Sequence, residues 1–327
     1  MRPFTYVRAE TLPGALDSAR TDNTMFLAGG TELLNWARIG IETPSRLVDI
    51  GRLPELHEIT PTEDGGLRIG ALARLNDVAQ DARVETAYPV FSQAILKAAS
   101  AQLRNLATIG GNPVQRVRCP YFRSNGPVAC NKRVPGSGCA ALHGANSERF
   151  AIFGWTEDCV AVQPSDPAVA LACLDAEIIT EHGDGGRRIP ATEFHTLPDV
   201  DPAAHNVLRP GELITGIELG APAPRSAYVK VRERQSYEYA LVSAAAAVEV
   251  TDGVISRARV ALGSVALRPW RLYDAEAALV GLTPGSPEVR DAVTSGFSAA
   301  RPLSSNAYKI PLARNTALRA LELALEA

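Results

Sequence analysis

Phe26-Leu27-Ala28-Gly29-Gly30-Thr31-Glu32-Leu33 and Ala107-Thr108-Ile109-Gly110-Gly111-Asn112 are two glycine-paired turns in the N-terminal half of the chain. Thr24 to Ala28 reads as a short buried strand that the first glycine pair ends. Thr31 to Ile39 follows with a helical period, and Leu47 to Ile50 is a second short strand. The order predicts a β–turn–helix–β unit. Paired glycines permit positive φ and leave no Cβ in the way, so a phosphate can approach the backbone N–H groups. A helix starting at the turn adds its positive dipole end, and Thr31 and Thr108 offer hydroxyl donors. A lone Gly-Gly is by default a structural turn. Two of them point to a ligand with two ends, such as a dinucleotide. Neither matches G-x-G-x-x-G, so the Rossmann fingerprint is absent.

Outward from these turns the signals are mixed. Leu12 to Arg20 has a weak helical period. Leu67, Ile69 and Ala71 alternate as a strand, Asn76 or Asp77 caps a short helix, and Tyr88 to Ser100 is a longer one. From Pro113 to Pro164 periodicity fails, as in a long functional or disordered loop. Ser165 is then a good N-cap, with Asp166 and Pro167 in the first turn of a helix through Leu174. Two strands flank His182 to Gly186, and Leu213 to Leu219 is another. Ala221-Pro222-Ala223-Pro224 reads as a boundary between domains 1–220 and 225–327. Beyond it, Ala227 to Arg232, Val254 to Leu262 and Val265 to Leu272 carry strand signal and Tyr239 to Val250 is apolar. Asp274 to Val280 and Arg314 to Glu326 read as helices.

The 327 residues are 46% hydrophobic, which suffices for a large core and favours two domains. A net charge of −3 gives none of the basic field that nucleic-acid binding needs. No stretch is apolar enough to span a membrane. Met1 to Glu10 has no apolar signal region, so the expected location is the cytoplasm, or the periplasm by export alongside a partner. His57, His143, His182, His195 and His205 are scattered, and no acid–base pair adjoins the glycine turns. They read as structural or solvated.

Cys119, Cys130, Cys139 and Cys159 lie in the irregular loop with the spacing C-x10-C-x8-C-x19-C. Cys173 sits in an apolar run and reads as a buried, inert thiol. Three readings of the four stay open. Structural zinc usually shows tight C-x2-4-C pairs, and none occurs here. Disulfides belong to oxidising compartments. A [4Fe–4S] cluster tolerates wide spacing, and its negative charge would be offset by Arg116, Arg118, Arg123, Lys132 and Arg133, which otherwise form a solvated face.

With both glycine motifs in view, the chain resembles the medium, flavin-binding subunits of the xanthine dehydrogenase, or molybdenum hydroxylase, family. The family's common pattern continues soon into a small-residue stretch, an Asp and an alanine-rich helix. Here the matching stretch, Pro164-Ser165-Asp166-Pro167-Ala168-Val169-Ala170-Leu171, is delayed by the cysteine loop. Arg118-Cys119-Pro120-Tyr121-Phe122-Arg123, Cys130-Asn131-Lys132-Arg133 and Pro135-Gly136-Ser137-Gly138-Cys139-Ala140-Ala141-Leu142 resemble a narrower group, the FAD subunits of bacterial periplasmic aldehyde oxidoreductases.

The resemblance implies an α+β chain: a two-part FAD-binding fold like that of vanillyl-alcohol oxidase, then a domain like the C-terminal domain of carbon monoxide dehydrogenase flavoproteins. It implies FAD, with the pyrophosphate held by Phe26, Leu27, Ala28, Gly29, Gly30, Thr31, Glu32, Leu33 and Leu34 and by Ala107, Thr108, Gly111 and Asn112. Asp166 would contact the adenosine ribose and Lys230 the flavin's polar edge. It implies a [4Fe–4S] cluster on Cys119, Cys130, Cys139 and Cys159. Its partners would be a molybdopterin-binding large subunit that oxidises an aldehyde and a [2Fe–2S] small subunit that feeds the FAD. A ferredoxin steered by the loop's basic residues, or O2, would accept the electrons. A stand-alone flavoenzyme of the same fold, or a zinc-stabilised binding module, is the alternative.

Overall fold

The computed structural model describes residues 1–145 and 147–327. Around the first glycine pair, β1 (Thr5–Arg8), β2 (Thr24–Leu27) and β3 (Arg46–Asp49) form a parallel sheet in the order β1-β3-β2. The crossovers are α1 (Leu12–Ser18) and α2 (Leu33–Arg38). Thr11 starts α1 by accepting the Gly14 N–H on Oγ1 at 3.2 Å. β1 escapes sequence reading because three of its four residues are exposed and show no apolar alternation.

β4 (Ile59–Pro61), β5 (Leu67–Gly70), β6 (Glu177–Glu181), β7 (Arg187–Pro190) and β8 (Leu213–Leu219) form an antiparallel sheet in the order β4-β5-β8-β6-β7. The central strand β8 pairs Leu219 with Leu67 and Glu218 with Glu177. Between β5 and the cysteine loop run α3 (Leu75–Ala79), α4 (Ala82–Ala87), α5 (Pro89–Lys97) and α6 (Ala101–Arg104). Asn76 and Asp77 do not cap α3, which begins at Leu75. Its first amide, on Leu75, donates instead to the Ala107 carbonyl of the second glycine turn at 2.9 Å. α7 (Asp166–Cys173) is capped by Ser165, whose Oγ accepts the Ala168 N–H at 3.0 Å, and all eight of its residues are buried.

The C-terminal part is an antiparallel sheet, β9 (Ser226–Val231), β10 (Val242–Thr251), β11 (Val254–Gly263) and β12 (Trp270–Arg271), in the order β12-β11-β10-β9. It is covered by α8 (Tyr273–Leu279), α9 (Glu288–Ser295) and α10 (Lys309–Glu326). Phe91, Leu171, Ile217 and Ala245 belong to one apolar core that ties α5 and α7 to both antiparallel sheets. The strand read over Val265 to Leu272 shrinks to Trp270–Arg271. Its start is diverted: the Val265 carbonyl accepts the N–H groups of Ile152 and Phe153, at 2.9 and 3.0 Å, from the returning cysteine loop.

That loop has little regular structure but is folded. Val117, Phe122, Phe150 and Val160 make a small core with Cys119, Cys159 and Leu267. Its apolar content is therefore higher in effect than its composition suggests. The segment before α10 straps it down. Asn306 donates from Nδ2 to the Phe150 and Ala151 carbonyls at 3.2 and 3.1 Å. The buried Lys309 ammonium donates to Phe150 at 2.9 Å and Ser264 at 2.6 Å. No helix among the described residues is long and apolar enough to cross a membrane.

Candidate functional site

Both glycine turns open onto one cavity of about 1230 Å³. Phe26, Ala28, Gly29, Gly30, Thr31, Glu32 and Leu33 line it from the first turn, and Ala107, Thr108, Gly111 and Asn112 from the second. Two residues of the expected set do not. Leu27 packs with Trp36 and Leu47, and Leu34 is exposed to solvent. The glycines have distinct reasons. Gly30 takes φ +70°, which side chains with a Cβ rarely adopt. A Cβ on Gly29 would overlap the Leu106 backbone carbonyl, so Gly29 lets the two turns touch. The first turn leads into a helix of only six residues, and the second leads into further turns with no helix. An anion entering between the turns would meet chiefly backbone amides, with little helix dipole behind them.

Asp166 and Lys230 also line the cavity, and they are paired. Lys230 Nζ lies 2.7 Å from Asp166 Oδ2, with both side chains at most 5% exposed. The Tyr228 hydroxyl donates to Asp166 Oδ1 at 2.6 Å. Burial pushes the Asp166 carboxyl up, against the pull of the ammonium and the hydroxyl. The resemblance assigned these two groups to opposite ends of a dinucleotide. The ion pair instead joins them into one unit.

Glu32 is committed as well. Its carboxylate accepts from Trp36 Nε1 at 2.8 Å, pairs with Arg118, and lies 3.6 Å from Arg123 Nη2. Only its backbone is free to serve a ligand. Arg116 pairs with Glu42 and stacks over the Trp36 ring at 5.0 Å. Arg118 stacks over Tyr239 at 4.6 Å. Arg116, Arg118 and Tyr239 line the cavity, and sequence reasoning missed all three as wall residues. The signal was present: Arg116 and Arg118 alternate, so in extended chain they share a face.

Two other basic residues of the loop are held by backbone carbonyls. Lys132 is buried and donates to the Ala204 carbonyl at 2.6 Å, and Arg133 donates to that of Phe122 at 2.9 Å. Lys132 is thus withdrawn from solvent, whereas Arg116, Arg118, Arg123 and Arg133 stay partly exposed while held by partners within the chain. His195 is buried against the Pro113 carbonyl at 2.9 Å, with burial pushing its pKa down to about 4, which fits a neutral structural role.

Cys119, Cys130, Cys139 and Cys159 line a second, small cavity beside Phe122 and Asn131. Cys130 and Cys139 face each other across an antiparallel bridge. All five cysteines are free thiols. Burial pushes Cys119 up to about 12 and Cys159 to about 11, so ligation there must displace protons. Among the described residues no group of three or more His, Cys, Asp or Glu converges to hold a metal ion. Zinc, at about 2.3 Å from each sulfur, needs such convergence. Cys173 is fully buried, as expected, with Sγ 3.4 Å from the Arg259 carbonyl.

Residues 2–222 match the family described as the FAD binding domain in molybdopterin dehydrogenase. The chain belongs to the FAD-binding subunits of the molybdenum hydroxylase family. Residues 227–324 match the carbon monoxide dehydrogenase flavoprotein C-terminal domain. Over 320 residues the chain is 46% identical to the aldehyde oxidoreductase FAD-binding subunit PaoB of Escherichia coli (strain K12), covering 97% of this chain and 96% of that protein. It is 28% identical to the glyceraldehyde dehydrogenase medium chain of Sulfolobus acidocaldarius, over 93% of this chain and 90% of that one. In fold it resembles a chain in carbon monoxide dehydrogenase from Hydrogenophaga pseudoflava, with a TM-score of 0.76 at 24% identity over 99% of this chain and 98% of that one. The expected α+β architecture of this family is the one observed.

Proposed function

We propose that this molybdenum hydroxylase flavin subunit carries electrons within an aldehyde oxidoreductase complex and leaves substrate oxidation to its partners. The observation that carries the reading is the pairing of two cavities. One is lined by both glycine turns, and the other is ringed by four free cysteines. In this reading residues 1–220 form the flavin-binding part and residues 225–327 the C-terminal part. Gly29, Gly30 and Thr31 of the first turn, with Thr108, Gly111 and Asn112 of the second, hold the FAD pyrophosphate on backbone amides and hydroxyls. The Asp166–Lys230 pair fixes a polar end of the cofactor. FAD exchanges electrons singly or in pairs, and so joins a one-electron relay to a different acceptor.

Electrons arrive from the [2Fe–2S] centres of a small subunit, which a molybdopterin-binding large subunit supplies, and leave to a ferredoxin-like carrier or O2. Cys119, Cys130, Cys139 and Cys159 hold a [4Fe–4S] cluster. The name of the Escherichia coli relative supports the aldehyde as substrate class. The purified chain is expected to show flavin absorption bands over a broad brown shoulder, with iron and acid-labile sulfide in equal amounts. Flavin bands alone would favour a stand-alone flavoenzyme, and a colourless zinc protein would end the proposal. Purified without partners, the chain is expected to oxidise no aldehyde with artificial acceptors. Turnover by the isolated chain would overturn the subunit reading.

A further inference from the structure

The first glycine turn is held from outside by the cysteine loop. α2, which follows the turn, has six residues and no side-chain cap. A helix that short is not stable by itself. Two arginines immediately before Cys119 grip it. Arg118 pairs with Glu32, the residue that starts α2, and Arg116 pairs with Glu42 beyond its end and covers Trp36 at 5.0 Å. Trp36 in turn donates to Glu32 at 2.8 Å, which closes the bracket. On its other face Arg118 covers Tyr239, from the β9–β10 connection, at 4.6 Å. One guanidinium thus touches the flavin turn and the far wall of the cavity, and its backbone neighbour is a cysteine of the second cavity.

We infer that Arg118 is a positioning residue for the flavin site, through which occupancy of the cysteine site strengthens FAD binding. The inference rests on the reading of Cys119, Cys130, Cys139 and Cys159 as [4Fe–4S] ligands. A cluster that fixes Cys119 fixes Arg118, and Arg118 holds Glu32 and the amides of Gly30 and Thr31 in the conformation that receives the pyrophosphate. Without the cluster the cofactor must order that segment itself, and its affinity falls accordingly.

The test is a double-mutant cycle on the assembled complex, with FAD removed and then retitrated by fluorescence, and iron measured for each preparation. Cys130→Ser is expected to lose iron and weaken FAD binding about tenfold. Arg118→Met is expected to keep its iron and weaken FAD binding by a similar factor. The double variant is expected to be no weaker than either single one, because both act through one contact. Arg118→Lys, which keeps the charge but loses the planar fork, is expected to recover only part of the affinity. Iron loss in Cys130→Ser with unchanged FAD affinity would overturn the coupling and leave the ligand assignment standing. Equal factors that multiply in the double variant would show that Arg118 acts independently of the cluster. An iron-free wild-type complex would remove the ligand reading and the coupling together.

Discussion

Lys230→Met is expected to lose about 3–5 kcal/mol of stability at neutral pH in denaturant unfolding, because it strands the buried Asp166 carboxylate. The pair is almost fully buried, and the remaining partner of Asp166 is the Tyr228 hydroxyl. One neutral donor does not offset a desolvated charge. The pH dependence has a definite sign. Burial raises the folded pKa of Asp166 above its ordinary value, and removing the ammonium raises it further. The folded variant then binds a proton that the unfolded chain releases. Its stability is greatest below the ordinary carboxylate range and falls as pH rises through the raised folded value. The deficit against the parent chain therefore shrinks on acidification toward pH ~4. Adding Asp166→Asn should recover much of the loss, since an amide needs no counter-ion. A Lys230→Met chain as stable as the parent at pH 7 would mean that the carboxyl is already neutral in the native protein.

Gly29→Val is expected to abolish FAD retention through gel filtration, and to do so more completely than Gly30→Val. At Gly29 the added Cβ meets the Leu106 carbonyl, and backbone cannot swing aside. The two glycine turns must separate, and with them the two surfaces that line the cavity. At Gly30 the Cβ meets only side-chain carbons of Leu34 and Leu27, at 3.0 and 3.3 Å. The cost there lies mainly in placing a β-branched residue at φ +70°, roughly 1–3 kcal/mol. The expected order of flavin content is parent, then Gly30→Val, then Gly29→Val. Full flavin content in Gly29→Val would show that the cavity between the turns is not where FAD sits.

Much of this was legible in the sequence, and the gaps have physical causes. The glycine turns stood out because glycine pairs interrupt apolar strands, and Ser165 because a serine followed by Asp166 and Pro167 is a strong helix start. α10 was read from Arg314, yet it begins at Lys309, since Pro311 in a first turn resembles a break but costs no hydrogen bond there. The pairing of Asp166 with Lys230 was invisible because 64 residues separate them, and a helix start and a strand each read locally carry no sign that they meet. The commitment of Glu32 was hidden for a similar reason. A glutamate after a glycine turn looks like a ligand contact until the arginines that claim it are placed. Charge counting also misjudged the loop. Five basic residues in an irregular segment suggest a wet surface, but most of them have their partners inside the protein.

The cysteine loop leaves the flavin domain after Asn112 and returns at Ser165, and the Ser165 hydroxyl donates to the Asn112 side-chain oxygen at 2.5 Å. Departure and re-entry are thus neighbours, so the segment behaves as a cassette set into a closed circuit. A few residues suffice to bridge the gap between its ends, but the cassette is also anchored at its far side, where Ile152 and Phe153 enter the C-terminal core. A chain in which residues 116–161 are replaced by a short Gly/Ser bridge should lose the arginine grip on α2 and also unfold more easily, because the change takes Ile152 and Phe153 out of the C-terminal core and leaves the buried Lys309 ammonium without the Phe150 carbonyl.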